Sequence, residues 1–328
     1  MRLIQFKTAD GKRAVGIVDG ARLRVLDGVD SVYRLALDAI AAGKPLADVA
    51  GARAGKTAAD YDAIVAARQL LAPVDHPDPA HIFVTGTGLT HLGSAVARDK
   101  MNAKLKAGGE LTDSMKIFRM GMEGGKPKAG TIGVQPEWFY KGDGSCVVAP
   151  EAPLPSPAFA LDGGEEAEIV GLYVIAPDGT PWRIGFTLGN EFSDHVTERQ
   201  NYLYLAHSKL RVCSLGPELL LGDLPADVRG TVRVLRDGKP LWQEEFLSGE
   251  ANMTHTVANL EHHHFKYGMF RRPGDVHVHF FGAATLSVAA GVTCKPQDVF
   301  EIDVPTFGRP LRNPFGSEAA RNVAVKTL

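Results

Sequence analysis

The segment from Gly164 to Ile175 constrains the fold most, because acidic side chains stand at the entry of a long apolar run rich in β-branched residues. A run of this composition favours a buried β-strand. Successive side chains of a strand leave opposite faces, so Glu166 and Glu168 are expected to project together while Glu165 points away. Two like charges held this close repel each other, and a divalent cation would relieve the repulsion.

The same run is also compatible with a solvated acidic turn ahead of an ordinary strand. If an ion is bound, a ligand set made only of carboxylate oxygens suits Mg²⁺, Mn²⁺ or Ca²⁺ better than Zn²⁺. The choice between a metal site and a plain acidic turn therefore depends on the motifs that surround this strand.

Further short motifs precede and follow the acidic strand. In chain order they are Val84-Thr85-Gly86 with His91, Trp138–Gly142, the strand with Glu166 and Glu168, Gly185–Glu191, Lys209 ahead of Leu215-Gly216-Pro217, Arg272–Val276, Phe281-Gly282 and Pro296–Ile302. No single motif is specific. In its order and spacing the whole set resembles the fumarylacetoacetate hydrolase superfamily, over roughly residues 80 to 315.

The resemblance implies an α+β fold that is mainly β. It would be a mixed β-sandwich or roll of the fumarylacetoacetate hydrolase type, with a small N-terminal α/β domain. The prolines between Leu71 and Pro79 mark a boundary. We therefore expect a small N-terminal domain at residues 1–72, a proline-rich linker at 73–80 and a catalytic domain at 81–328.

Local patterns predict several secondary-structure elements. Asp10-Gly11 indicates a hairpin turn between two short strands. Ser31 is typical of a helix N-cap, and the amphipathic pattern after it predicts a helix that runs to Ala42. The other predicted helices span Ala58–Leu71, 92–106 and 194–207.

The resemblance also implies roles for single residues. Glu166 and Glu168 match the family's first two metal-binding carboxylates, and Glu191 stands where the family usually has an Asp. The longer side chain of Glu191 still offers an oxygen ligand, with the ion shifted by about an ångström. Lys209 matches the lysine that holds the carbonyl or carboxylate oxygens of the substrate. Tyr202 matches an active-site tyrosine.

Two departures from the family pattern bear on the reaction. His91 matches the histidine that activates water in hydrolase members, but no Glu follows it at the third position to polarise it. Glu198 stands where hydrolases of the family often have Gln. An incomplete water-activating pair and an additional acid both make hydrolysis less favourable for this chain.

Three further side chains are candidates for substrate binding. Lys141 lies near the end of the predicted Trp138–Gly142 strand, and Thr285 is the nearest substitute for a threonine that the family pattern has and this chain lacks. Arg119 lies in the Gly- and Lys-rich segment 108–133. This segment predicts a loop, either an active-site lid or a plain surface insertion.

The resemblance favours the branch of the superfamily that dehydrates 2-keto-3-deoxy sugar acids. A 2-oxo acid would bind the ion through its carboxylate and carbonyl oxygens, which stabilises an enolate. His91 is the candidate that exchanges the C3 proton, and Glu198 would protonate the leaving C4 hydroxyl. A 2-keto-3-deoxy-pentonate would then give 2,5-dioxopentanoate. The alternatives are hydrolysis of a 2,4-dioxo acid such as an acylpyruvate, and metal-dependent binding without catalysis.

Composition argues against several other partners. The net charge is -2 and no long basic run occurs, so neither nucleic acid nor an anionic membrane is an expected partner. The apolar runs are shorter than the ~20 residues of a membrane helix, and a signal-peptide core is not recognisable, which predicts a cytoplasmic protein.

Cys146, Cys213 and Cys294 lie far apart in the sequence and are expected to be reduced thiols. The resemblance implies a homodimer formed through the large β domain.

Two other motifs suggest different ligands. Gly86-Thr87-Gly88 resembles the start of a dinucleotide-binding turn, but His91 stands where the third glycine belongs. His277 and His279 would share one face of a strand and, with the histidines at 262–264, suggest a transition-metal site. Histidines in such positions are more often packed or hydrogen-bonded, so the acidic motif remains the preferred metal site.

Overall fold

Two β-sheets form the framework of the chain. The structure is a computed structural model, and it describes residues 1–93 and 111–328. The strands of the 12-stranded sheet are β1 (Arg2–Lys7), β2 (Arg13–Asp19), β3 (Arg22–Leu26), β4 (Ala54–Asp60), β5 (Ile82–Gly86), β6 (Phe139–Asp143), β7 (Val147–Val148), β9 (Ala167–Ile175), β10 (Pro181–Asn190), β11 (Cys213–Leu215), β12 (Leu219–Leu220) and β15 (Val276–Phe280). The strands of the 5-stranded sheet are β8 (Leu154–Ser156), β13 (Val228–Arg236), β14 (Lys239–Ser248), β16 (Val299–Asp303) and β17 (Leu311–Ser317).

Short helices connect and flank these strands. The α-helices of the described residues are Val32–Ala42, Leu46–Ala52, Tyr61–Ala66, Asp113–Gly124, His195–Gln200, Leu205–Lys209 and Val257–Phe265. Two 3₁₀ segments that bear on the site are Tyr202–Tyr204 and Ser287–Ala290. Within 1–93 and 111–328, no helix combines the length and the apolar character needed to cross a bilayer. The architecture is mainly β with some helices, as predicted.

Strand β9 lies inside the larger sheet, between β10 and β15. It pairs antiparallel with both, and β15 pairs parallel with β5. In the β9–β10 hairpin Glu168 lies opposite Gly189, and Ala167 lies opposite Asn190. The beginning of β9 and the end of β10 therefore meet at one edge of the sheet. The acidic motifs of the two strands are thereby brought side by side.

Both faces of β9 are buried, which explains its nearly continuous apolar sequence. On one face Val170 and Leu172 pack in a core that includes residues of the helix Val32–Ala42. On the other face Ala167 and Ile169 pack in a second core with the smaller sheet. The strand that carries the acidic motif is thus held between two hydrophobic cores.

The N-terminal strands extend the larger sheet. The sheet runs in the order β4-β3-β2-β1-β12-β10-β9-β15-β5-β6. The link between the two parts of the chain is the pairing of β1 with β12, in which Leu3 lies opposite Leu219. Residues 1–72 therefore share one sheet with the remainder, and the proline-rich stretch at 73–80 coincides with no break in that sheet.

Two local predictions near the N-terminus are confirmed. The turn between β1 and β2 contains Gly11 with a φ of 79°, a value that favours glycine. The side chain of Ser31 accepts a hydrogen bond from the Arg34 N–H at the start of the helix Val32–Ala42. Gly43 then ends this helix in the left-handed conformation.

The predicted helix at 58–71 is wrong in its boundaries. Its first residues belong to β4, which pairs with β3. The helix Tyr61–Ala66 begins only after Asp60, whose carboxylate accepts a hydrogen bond from the Ala63 N–H. Strand pairing and this N-cap therefore outweigh the helix propensity of the alanines ahead of Asp60.

The segment 108–133, predicted as a loop, contains a helix. Residues 108–110 lie outside the described part of the chain, and the helix Asp113–Gly124 follows. The Thr112 hydroxyl accepts a hydrogen bond from the Met115 N–H and so caps the helix. The Gly and Lys content of the segment concealed this cap, and the loop prediction is corrected accordingly.

Two further helix predictions have different outcomes. The helix predicted at 92–106 lies outside the described residues from 94 onward. The helix predicted at 194–207 is present as two short helices, His195–Gln200 and Leu205–Lys209, with a 3₁₀ turn between them. The break follows Gln200, where the next residue has an extended backbone.

Removal of side-chain volume at Leu172 tests the core that β9 shares with the helix Val32–Ala42. Leu172→Ala should lower the free energy of unfolding by about 2 to 5 kcal/mol, because Leu172 is fully buried and the change leaves a cavity. Leu241→Ala, at a half-exposed position on β14, should cost less than about 1 kcal/mol. Urea unfolding followed by circular dichroism measures both. Equal losses in the two variants would contradict the burial of Leu172 in this core.

Candidate active site

Three buried glutamates meet where β9 begins and β10 ends. Glu168 lies in β9, Glu166 stands just before it, and Glu191 directly follows β10. The Glu191 N–H donates to the Glu166 carbonyl at 2.9 Å, and the Glu166 N–H donates to the side-chain oxygen of Asn190 at 3.3 Å. One carboxylate oxygen of each glutamate lies within 4.8 Å of the others. We call these three residues the glutamate triad.

The electrostatics of the glutamate triad fit a divalent cation. Burial raises the pKa of Glu168 well above its ordinary value, and the carboxylates of Glu191 and Glu166 raise it further. No hydrogen bond reaches Glu191 Oε1 from the described residues. Closely spaced buried carboxylates with oxygen-only donors suit a hard ion such as Mg²⁺. Within 1–93 and 111–328 no other group of three or more His, Cys, Asp or Glu side chains is close enough to share an ion.

Lys209 is a cation that contacts two members of the glutamate triad. Its Nζ donates to Glu166 Oε1, to Glu191 Oε2 at 3.1 Å and to Ser193 Oγ at 3.2 Å. Burial alone would lower the pKa of Lys209, but the surrounding carboxylates, Glu166 first among them, raise it above its ordinary value. Lys209 therefore remains protonated and acts as a fixed positive charge.

Lys141 lies behind Glu191, fully buried on β6. Its Nζ donates to the main-chain carbonyls of Phe192 at 2.8 Å and Lys209 at 3.0 Å. It also lies 3.5 Å from Glu191 Oε1. Lys141 thus connects the end of β10 to the end of the helix that carries Lys209. This placement suits support of the site better than direct contact with a substrate.

His195 supplies another cation beside the glutamate triad. Its Nε2 lies 3.3 Å from Glu166 Oε1, and its Nδ1 lies 3.5 Å from Asp162 Oδ2. Burial would lower the pKa of His195, but these two carboxylates raise it to about 9. Burial alone would raise the pKa of Glu166, yet the charges of Lys209 and His195 hold it below its ordinary value. His195 was not selected from the sequence, although it lies in the motif that follows Glu191.

Glu137 is an acidic residue of the site that the sequence reasoning missed. Burial raises the pKa of Glu137 to about 7, although Tyr202 donates a hydrogen bond to its Oε2 at 2.9 Å. The charges of Glu198 and Glu166 raise that pKa further, so these carboxylates are neighbours. Burial also raises the pKa of Glu198. No local signal marked Glu137, because the strand that follows it, Phe139–Asp143, lacks the long apolar run that follows Glu166.

His91 is buried, and both of its ring nitrogens form hydrogen bonds. Nε2 shares a hydrogen bond of 2.8 Å with the Ser248 hydroxyl, and Nδ1 one of 3.1 Å with the Thr90 hydroxyl. Burial lowers the pKa of His91 to about 3, with a smaller effect of His255. A neutral imidazole held in this way suits a positioning role better than proton transfer.

Two predicted substrate-binding residues make contacts away from the glutamate triad. The Thr285 hydroxyl donates to the Glu245 carbonyl at 3.4 Å. Arg119 is half-exposed on its helix and lies 3.9 Å from Glu123 Oε1. The segment that contains Thr285 nevertheless reaches the triad through its first residue, since the Gly282 N–H donates to Glu168 Oε2 at 2.6 Å.

The histidines of β15 form a packed network. His264 Nε2 hydrogen-bonds His277 Nδ1 at 2.9 Å, and Trp138 Nε1 donates to His264 Nδ1 at 3.2 Å. His279 shares a hydrogen bond with the Thr85 hydroxyl at 2.8 Å and stacks on His264. Burial lowers the pKa of all three histidines. They are therefore neutral core residues, two of them on β15 and His264 on the helix Val257–Phe265.

Comparison with solved structures identifies the fold. The chain is similar to 2-keto-3-deoxy-D-arabinonate dehydratase complexed with magnesium and 2,5-dioxopentanoate, with a TM-score of 0.69 and 16% identity over 98% of this chain and 100% of that chain. The chain shares this fold, as expected from its resemblance to the fumarylacetoacetate hydrolase superfamily. It is also similar to a 2-hydroxyhepta-2,4-diene-1,7-dioate isomerase from Mycobacterium marinum, with a TM-score of 0.60 and 17% identity over 98% of this chain and 100% of that chain. No family model and no curated protein matches the sequence.

Loss of one ligand charge tests the metal assignment. Glu168→Gln should weaken Mg²⁺ binding by about 100-fold or more, because the site has few protein ligands. The fold should survive, since glutamine keeps an oxygen for the Gly282 N–H. Calorimetric titration with Mg²⁺ measures the affinity. Glu218→Gln changes a buried carboxylate that binds Arg2 and Tyr61 instead, and should leave the affinity unchanged. An equal affinity in wild type and Glu168→Gln would refute the assignment.

Mg²⁺ affinity should also depend on pH. Because the pKa of Glu168 is raised, the metal-free protein keeps a proton there up to a higher pH than an ordinary glutamate does, and an ion must displace that proton. Affinity should therefore fall as the pH is lowered, and binding should release protons. Titrations in buffers of different ionisation enthalpy measure this release. Glu168→Gln should release fewer protons than wild type at any pH where it still binds the ion.

Proposed function

We propose that the protein is a Mg²⁺-dependent dehydratase of a 2-keto-3-deoxy sugar acid, with a 2-keto-3-deoxy-pentonate as the preferred substrate. The observation that carries this proposal is a second pair of carboxyl groups, Glu137 and Glu198, beside the glutamate triad. Dehydration needs one group that accepts a proton and one that donates a proton. Two carboxyl groups whose pKa values are raised by burial can take these two roles.

The glutamate triad and Lys209 would bind the oxidised end of the substrate. A divalent cation held by the triad would polarise the carboxylate and 2-oxo oxygens and make the C3 protons more acidic. Lys209 stays positively charged at the same place, so it can hold one of these oxygens and stabilise negative charge that develops there. Lys209 therefore acts by electrostatics, and the base must be another residue.

Glu137 is the best candidate for the proton acceptor. Its pKa of about 7 leaves a substantial ionised fraction at neutral pH, and the hydrogen bond from Tyr202 orients the carboxylate. In this proposal Glu137 therefore takes the role for which His91 was the candidate from the family resemblance. Glu198, whose pKa is raised by burial, would then protonate the C4 hydroxyl as it leaves.

The chemistry balances without another reactant. The C3–H bond and the C4–O bond break, a C3–C4 double bond forms, and one water leaves. A proton then moves from C5 to C3, and the enol that results gains a proton at C4 and loses its hydroxyl proton, which gives the C5 aldehyde. The product of a 2-keto-3-deoxy-pentonate is 2,5-dioxopentanoate. A carboxyl group that can hold or release a proton is needed at each of these steps.

The structural neighbours agree with this proposal in part. One of them, a 2-keto-3-deoxy-D-arabinonate dehydratase, is described in complex with magnesium and 2,5-dioxopentanoate. Others are isomerases, so the fold by itself does not select the reaction. The choice of dehydration for this chain rests on its own carboxyl groups.

Hydrolysis of a 2,4-dioxo acid is the alternative. It would require a histidine activated by a carboxylate to deprotonate water. In this chain the ring of His91 hydrogen-bonds the hydroxyls of Ser248 and Thr90, and its pKa is lowered to about 3. A histidine in this state is a weak base, which favours dehydration over hydrolysis.

One set of incubations tests the reaction class. The purified protein is mixed with 2-keto-3-deoxy-arabinonate, with its C4 epimer and with an acylpyruvate, each with Mg²⁺ and with a chelator. The proposal expects 2,5-dioxopentanoate from at least one sugar acid, and only with Mg²⁺. Release of pyruvate from the acylpyruvate instead would establish the hydrolase alternative. Binding without turnover of any compound would indicate a non-catalytic protein.

Charge-removing variants test the two carboxyl groups. Glu198→Gln and Glu137→Gln should each lower kcat by about 10² to 10⁴, the usual contribution of a positioned acid or base. In wild type, kcat/KM should rise with pH through about 7 as Glu137 ionises, and Glu137→Gln should lack this rise. Solvent deuterium should enter C3 in wild type and fail to enter in Glu137→Gln. Near-normal turnover of either variant would remove that residue from the mechanism.

The control is Glu244→Gln, which removes a carboxylate from an exposed position on β14. It should leave kcat and the pH profile unchanged. His91→Ala separates the two candidate bases: loss of deuterium exchange in His91→Ala together with normal exchange in Glu137→Gln would return the role to His91.

A further inference from the structure

The segment Gly282–Ser287 is held at both ends by the acidic motif of β9. At one end the Gly282 N–H donates to Glu168 Oε2 at 2.6 Å. At the other end Ser287 donates twice to Glu165, from its N–H to Oε1 and from its hydroxyl to Oε2, each at 2.7 Å. The three residues Glu165, Glu168 and Ser287 thus fix the path of the segment beside the glutamate triad.

The carboxylate of Glu165 is buried, which is uncommon for a charged side chain. Its side chain and that of Ser287 are each 1% exposed, so both lie out of reach of bulk water. A buried carboxylate is costly unless its oxygens are hydrogen-bonded, and here each oxygen of Glu165 has one donor from Ser287. Two bonds to one residue fix both the position and the orientation of Ser287. A neutral apolar contact would fill the space without that fixation.

The part of the segment between the two anchors carries free main-chain donors. The N–H groups of Ala283, Ala284, Thr285 and Leu286 have no hydrogen-bond acceptor among the described residues. These four residues are partly exposed. Consecutive main-chain N–H groups next to a cation site are suited to bind a carboxylate.

Further hydrogen bonds hold the chain just beyond Ser287. The guanidinium of Arg199 donates to the Val288 carbonyl at 3.4 Å, and the Gly291 N–H closes the 3₁₀ turn on Ser287. Arg199 belongs to the helix that carries Glu198. The segment is therefore linked to the triad at one end and to the proposed general acid's helix at the other.

We propose that Glu165 is a positioning residue that acts through Ser287: it holds the segment Gly282–Ser287 so that its free N–H groups bind the carboxylate of a 2-oxo acid. This role rests on the proposed function for the identity of the ligand. Glu165 touches neither the reacting atoms nor the ion in this scheme. Its loss should therefore affect substrate affinity more than the chemical step.

The test uses Glu165→Gln and Ser287→Ala in the Mg²⁺-loaded enzyme. Each variant removes one or more of the hydrogen bonds to the buried carboxylate. KM for the 2-keto-3-deoxy-pentonate should rise about tenfold in each, while kcat stays within about threefold of wild type. The double variant should be little worse than either single one, because the two residues act as a unit. Amide hydrogen exchange at 282–291 should become faster in all three.

Glu218→Gln is the matched control. Glu218 is also 1% exposed and accepts hydrogen bonds from Tyr61 and from the Arg309 N–H, outside the acidic motif. It should lower the melting temperature by a similar amount while KM and exchange at 282–291 stay as in wild type. If Glu165→Gln and Ser287→Ala change only the melting temperature, as this control does, Glu165 has a merely structural role and the proposal is overturned. Faster exchange with unchanged KM would overturn it as well.

A readout without turnover separates this proposal from the proposed function. Oxalate carries a carboxylate next to a second oxygen donor and does not react, so calorimetry with oxalate and Mg²⁺ measures binding alone. Affinity about tenfold weaker in both variants supports the role of Glu165 even if the wild type turns over no sugar acid, which would overturn the dehydratase assignment. Unchanged oxalate affinity in both variants overturns the role of Glu165 whatever the substrate.

Discussion

The burial of three carboxylates at one end of the β9–β10 hairpin is the constraint on which the rest of the site depends. Removing a carboxylate from water costs several kcal/mol unless charge and hydrogen bonds compensate it. Lys209 and His195 compensate Glu166, and Lys141 and Lys209 lie beside Glu191. Glu168 receives a hydrogen bond from a main-chain N–H and has no cation of its own within 4.0 Å among the described residues. Glu168 is thus the carboxylate of the triad whose negative charge is least compensated. A divalent cation would contribute most there.

The hydrophobic framework makes this arrangement rigid. A solvated acidic turn could separate its charges, but the glutamate triad cannot, because β9 is packed on both faces and β10 lies tightly against it. Gly189, opposite Glu168, shows how tight this contact is: a Cβ at that position would lie 2.5 Å from atoms of Phe280 and Val170. Apolar packing therefore holds like charges together at a distance that they would not keep in water.

The residues that could be predicted from the sequence are those whose geometry is local. Glu166 and Glu168 follow from the period of a strand, and Ser31 follows from the chemistry of a helix cap. Glu191 and Lys209 came from the order of motifs in a resembling family. Glu137 could not be placed in this way, because its nearness to Tyr202 arises from the packing of distant segments. Two other features also depend on contacts that the sequence alone does not show. Both ring nitrogens of His91 hydrogen-bond hydroxyl groups, and β4 pairs with β3.

The protonation states divide the polar groups of the site into two sets. Lys209 and His195 have raised pKa values and Glu166 a lowered one, so these three keep their charge near neutral pH and define a fixed field. Glu137 and Glu198 have raised pKa values and lie within reach of that field, so they can change charge. In the proposed reaction the fixed field would stabilise the charge that develops on the 2-oxo acid, and the second set would move the protons. An elimination that removes one proton and delivers another needs both sets, whereas a binding protein would need only the first.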